Sequence, residues 1–122
     1  MADLFDLIMN IRKRPAMYLG QPSVVQMRAF LAGYIFARRQ SKIPQTHQEQ
    51  TFSMFQSWVQ EKYKISSSQS WDRIILFFSQ DERAALEQFF VLFDEFVEST
   101  QNSKAIQANQ SSQLTTSAGA QN

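Results

Sequence analysis

The sequence has no cysteine. That excludes disulfides, thiolate metal sites and a cysteine nucleophile, and it suits a reducing compartment. There are three glycines and three prolines, too few for a fold built from tight turns. No apolar run approaches the roughly 20 residues needed to span a bilayer. Residues 1–10 hold two aspartates and no lysine or arginine, which is unlike a secretory signal. A soluble, cytoplasmic protein is expected. Histidine occurs once, at His47. A lone histidine at a helix start offers no triad and no metal-ligand spacing, so neither a catalytic residue nor a metal or other cofactor is expected.

What is present is phenylalanine, with 11 copies in 122 residues. Phenylalanine buries much area per residue and packs edge to face, so one small Phe-rich core is within reach. The net charge of +1 conceals an asymmetry. Residues 1–42 carry seven cations against two aspartates, and residues 71–98 carry seven carboxylates against two arginines.

The periodicity predicts an all-α fold of about five helices. Asp3 can cap a first helix that ends before Pro15, with Leu4, Leu7, Ile8 and Ile11 on one stripe. The run Arg12 to Gly20 reads as a rigid corner, with Tyr18 and Leu19 packing inward as its plug. Ser23 and Gln26 can box the start of a second helix, Val24 to about Gln40. Its stripe is Met27, Phe30, Leu31, Tyr34 and Ile35, and Gly33 suggests close approach of another helix. Thr46 and Glu49 form a second box before a helix from His47 to about Lys64, which carries Phe52, Phe55, Val59 and Tyr63. A fourth helix, capped by Ser70, would turn Trp71, Ile74, Ile75 and Phe78 inward; a strand at Arg73 to Phe78 is the alternative. Ser79 and Glu82 suggest a third box before a fifth helix, Asp81 to about Ser99, with Leu86, Phe89, Phe90, Phe93, Phe96 and Val97 along its stripe. Residues 101–122 are dominated by Gln, Asn, Ser and Thr, without periodicity. They are expected to form a disordered tail behind a helical domain of residues 1–100.

Two charged sets are candidate sites. Glu87, Asp94, Glu95 and Glu98 project from the fifth helix. The spacing of Glu87, Asp94 and Glu98 suits an acid/base pair or a cation site, and equally the wet side of an amphipathic helix. As a site, these residues fit best the binding of a basic protein partner. Arg12, Lys13, Arg14, Arg38 and Arg39 are the alternative, a basic patch able to meet phosphates. The near-neutral balance of the whole chain weighs against nucleic acid.

Arg12-Lys13-Arg14-Pro15-Ala16-Met17-Tyr18-Leu19-Gly20 resembles a stretch near the start of gyrase and topoisomerase ATPase subunits. With three scattered glycines no phosphate-cradling loop can be built, so ATPase activity is not implied. A longer pattern covers about residues 4–97: the corner, Phe30-Leu31-Ala32-Gly33-Tyr34, Phe55-Gln56-Ser57-Trp58-Val59, Ser68-Gln69-Ser70-Trp71 and Phe90-Val91-Leu92-Phe93-Asp94-Glu95-Phe96. It looks like small bacterial proteins that are immunity partners of polymorphic toxins. The resemblance implies a non-enzymatic protein-binding module that neutralises a cognate toxin. The other reading is a regulatory or nucleic-acid-associated accessory protein using the Arg12-Lys13-Arg14 corner. One departure stands out: Ala16 occupies a position where glycine is usual. If that position needs a positive φ, the turn is strained here.

Overall fold

The structure is a computed structural model that describes the backbone of residues 3–121 and the side chains of residues 3–103. The fold is all-α, with no strand among the described residues. Among the described residues seven helices follow in order: α1 (Leu4–Lys13), α2 (Pro15–Leu19), α3 (Val24–Gln40), α4 (His47–Phe52), α5 (Phe55–Lys62), α6 (Trp71–Phe77) and α7 (Glu82–Gln121). Contacts divide the chain into two units, residues 1–92 and residues 93–122. Each is described by itself.

In the first unit, α1 begins as its sequence demands. The Asp3 carboxylate accepts from Leu4 N at 2.7 Å, and Asp6 accepts from Asp3 N at 3.2 Å. These bonds satisfy donors that a helix start leaves orphaned. Leu4, Ile8 and Ile11 are buried. The start of α4 grips the start of α1: Thr46 Oγ1 donates to Asp3 at 2.9 Å, and Phe5 N donates to Gln48 at 2.8 Å.

The corner is itself a turn of helix. Pro15 stands at the first position of α2, where its missing N–H costs nothing. Ala16 is therefore helical, and only Gly20 takes a positive φ, 77°. The departure at Ala16 carries no backbone strain. Leu19 is buried as expected, but Tyr18 is only half-buried, its ring edge-on to Phe30 at 6.2 Å.

Ser23 caps α3, accepting from Val25 N and Gln26 N. Val24, Met27 and Leu31 are buried. Gly33 departs from expectation: a Cβ placed there meets nothing within 4 Å, so among the described residues no helix packs closely against it. Its only effect is then the entropic penalty of glycine in a helix interior. Gly33→Ala is expected to raise stability by about 1 kcal/mol, read as a higher urea midpoint. An unchanged or lower midpoint would contradict that account.

α3 and α5 end alike. Ile43 N reaches back to Arg38 O, and Ile65 N to Gln60 O, both across a residue of positive φ. That residue is Lys42 (57°) in one case and Lys64 (55°) in the other. This left-handed closure normally uses glycine. Lys42→Gly and Lys64→Gly should each stabilise by roughly 0.5–1 kcal/mol once the greater chain entropy of glycine is offset. A fall in melting temperature in both variants would refute the reading.

The single helix expected over 47–64 is broken at Ser53 and Met54. Thr51 Oγ1 and Ser53 Oγ bond back to His47 O and Gln50 O, a hydroxyl competition that bends helices. The break lets Phe52 and Phe55 stack at 5.2 Å. Residues 71–77 are helical, which removes the strand alternative. Phe78, expected inward, is exposed and stacks on Tyr63 at 4.8 Å. Two of the predicted caps differ. The Ser70 hydroxyl donates to Asp72 and caps no N–H. Asp81, not Ser79, caps α7, accepting from Ala84 N at 2.8 Å.

The core of this unit is aromatic. Phe55 lies 5.3 Å from Trp71 and 5.6 Å from Phe89, both edge-on, and Trp71 stacks on Phe89 at 4.9 Å. Three helices, α5, α6 and α7, thus meet through rings, and Phe52 of α4 joins them edge-on to Trp71 at 6.2 Å.

In the second unit, Phe93 and Phe96 are buried, and Ser99 and Thr100 bond back to Phe96 O and Val97 O. The tail expected over 101–122 falls, from residue 104 on, outside the described side chains.

Candidate functional site

Arg12 lies in the last turn of α1, Pro15 opens α2, and Pro22 precedes the cap of α3. Facing them is the start of α7. Arg83, Leu86, Glu87, Phe90 and Val91 recur at helical spacing and so share one face. Together these eight residues line a groove of about 380 Å³.

The walls are tied. Ser23 Oγ donates to the Glu82 carboxylate at 2.5 Å while accepting the first N–H groups of α3. One hydroxyl therefore joins the start of α3 to the first turn of α7. Glu82, expected to complete a box with Ser79, is used for this bond, and Ser79 bonds back to Ile75 O.

The floor is apolar. Leu86 and Phe90 are buried beneath it, and Val91 stands 46% exposed at its edge. The Arg12 guanidinium lies over the Phe90 ring, 5.5 Å from its centre, an attraction through the ring quadrupole. Arg83 and Glu87 are exposed, and no ion pair or hydrogen bond engages their side chains among the described residues. The groove thus presents two guanidiniums and one carboxylate above hydrocarbon.

The two candidate sets are redistributed. Arg12 from the basic set and Glu87 from the acidic set line the same groove. Lys13 and Arg14 follow Arg12 and are exposed. Arg38 is drawn elsewhere: its Nε contacts Glu49 Oε1 at 2.5 Å, and its Nη2 donates to Pro44 O. Glu49 is only 5% exposed, so Arg38 serves as counter-ion to a buried carboxylate. The Thr46 hydroxyl accepts from Glu49 N as predicted, but the Glu49 side chain turns to Arg38 instead of closing the box. Arg39 is exposed. In the second unit Asp94 and Glu98 are exposed and Glu95 is half-buried.

Arg83, Pro22 and Val91 had not been singled out from sequence. The signal for Arg83 was available: a cation in the first turn of a helix opposes the macrodipole and gains nothing there. No group of three or more potential metal ligands comes together among the described residues, and no described helix is long and apolar enough to cross a membrane. Comparisons of the chain with protein-family models, with curated proteins and with solved structures each return no match.

Proposed function

We propose that the chain is a non-enzymatic protein-binding module, an immunity or antitoxin-type inhibitor that neutralises a cognate bacterial toxin in the cytoplasm. The observation that carries the binding reading is the groove between the corner and α7. Its floor is hydrocarbon and its rim holds both signs of charge. A polypeptide segment supplies what such a site takes: an apolar side chain to displace water and polar groups to meet the rim. A phosphate-tracking surface has less use for an apolar floor, which ranks the nucleic-acid reading second. The toxin as partner comes from the sequence resemblance.

Co-expression with a toxin encoded beside this chain is the direct test. The wild-type chain should relieve growth arrest and co-purify with the toxin. Val91→Arg, which fills the groove from an exposed position, should lose both while melting normally. Arrest that persists with the wild-type chain present would overturn the proposal. Co-purified nucleic acid that salt removes would favour the accessory-protein reading.

A further inference from the structure

The backbone of the groove decides what shape of segment it takes. Pro15 and Pro22 have no N–H, and Leu86, Glu87, Phe90 and Val91 lie beyond the first turn of α7, where N–H groups are consumed within the helix. An extended segment therefore finds no row of main-chain donors, and its carbonyls would be covered without partners. A helix satisfies its own backbone and needs only side chains from its host.

The row along α7 decides which helix. Arg83, Glu87 and Val91 follow one another at four-residue spacing: a cation, an anion and a 46% exposed apolar group, one turn apart. Two local preferences are broken in that row. Arg83 stands in the first turn of α7, where the helix dipole favours a carboxylate. A cation ahead of a carboxylate at this spacing is also the weaker order for an ion pair, and among the described residues the two side chains form none. Breaches of local preference collect where function sets the residue. Arg12 is no part of this row: its guanidinium lies on the Phe90 ring, at one side of the floor.

We propose that the groove takes an amphipathic helix of the protein partner, packed along α7. A large apolar side chain of that helix sits on Leu86, Phe90 and Val91, a Lys or Arg meets Glu87, and an Asp or Glu meets Arg83, at successive turns. This inference rests on the groove being the docking site of a binding module. The order of the two charges selects the partner, not its net charge, because the reverse order sets like charges side by side.

Two phage libraries, one randomised over an outer helix face of a small three-helix scaffold and one of linear random peptides, read the preference directly. Both are selected on the full chain and counter-selected on Val91→Arg. The helical library should give the tighter binders, each with a cation one turn from a carboxylate on one side and from a large apolar residue on the other. The double variant Arg83→Glu with Glu87→Arg keeps the net charge and the floor. It should bind the leading clone about tenfold more weakly, as loss of one hydrogen bond to a charged group does. A clone with its carboxylate and cation exchanged should recover that loss. The double variant follows both local preferences, so its melting temperature should not fall and weaker binding cannot be ascribed to unfolding. Groove-dependent clones that bind the double variant as well as wild type would sink the charge order and leave the groove as the docking site. Tighter groove-dependent binders from the linear library would sink the helix. If neither library yields a clone that distinguishes wild type from Val91→Arg, the groove is overturned as well, and the growth-rescue assay shows whether a binding module survives it.

Discussion

Phe55→Ala is expected to be among the most damaging single truncations in the first unit, costing about 3–5 kcal/mol. Phe55 is fully buried. Its ring meets Phe52 at 5.2 Å, Trp71 at 5.3 Å, Phe89 at 5.6 Å and Trp58 at 6.0 Å. Removing it leaves a cavity walled by rings from α4, α5, α6 and α7. Large planar rings relax poorly into such a space, so the cavity penalty adds to the lost transfer energy. Small domains are stable by only about 5–15 kcal/mol in total, so the variant should lie near the edge of folding at growth temperature. Phe55→Leu keeps most of the volume and should cost roughly 1–2 kcal/mol. Urea midpoints of the two variants, read by tryptophan fluorescence, measure the difference. A Phe55→Ala midpoint within about 1 kcal/mol of wild type would mean that the aromatic cluster does not hold these helices together.

Much of this fold was legible because hydrophobic burial follows periodicity. Leu4, Ile8 and Ile11 declared α1, and Leu86, Phe89, Phe90, Phe93 and Phe96 declared the buried stripe of α7. The misses share a cause. The break at Ser53 and Met54, the exposure of Phe78 and the open space at Gly33 depend on which neighbour arrives, and periodicity does not report neighbours. Caps were legible at Asp3 and Ser23, where the capping oxygen accepts its helix N–H groups while also bonding a distant side chain, Thr46 and Glu82 respectively. Boxes were misread where the carboxylate turned to a distant partner: Glu82 met Ser23, and Glu49 met Arg38. The site was half legible. Arg12 and Glu87 were singled out from opposite ends of a polarised chain, as rival candidates. Folding places them in one groove, because the corner after α1 and the first turns of α7 form its two walls. No one-dimensional charge count contains that juxtaposition.

The buried ion pair supplies the second large effect. Glu49 is 5% exposed, and Arg38 Nε lies 2.5 Å from its Oε1. Neither of these two atoms has a further hydrogen-bond partner. Arg38→Met keeps the aliphatic stem but leaves the carboxylate buried without a counter-ion. Removing one partner of such a pair costs roughly 3–5 kcal/mol, much more than the pair itself contributes, because the remaining charge stays desolvated. Arg38 retains some exposure to solvent, so the lower end of that range is expected. The double variant Arg38→Met with Glu49→Met removes both charges and should recover most of the loss. Arg39→Met, one residue away on the exposed side of α3, is the control and should change stability by no more than about 0.5 kcal/mol. The outcome also bears on the basic patch. If Arg38 were a phosphate or partner contact on an open surface, Arg38→Met would resemble Arg39→Met in the denaturant melt and would differ from it only in binding. A large loss for Arg38→Met, rescued in the double variant and absent at Arg39, places Arg38 in the scaffold that holds the end of α3 against α4.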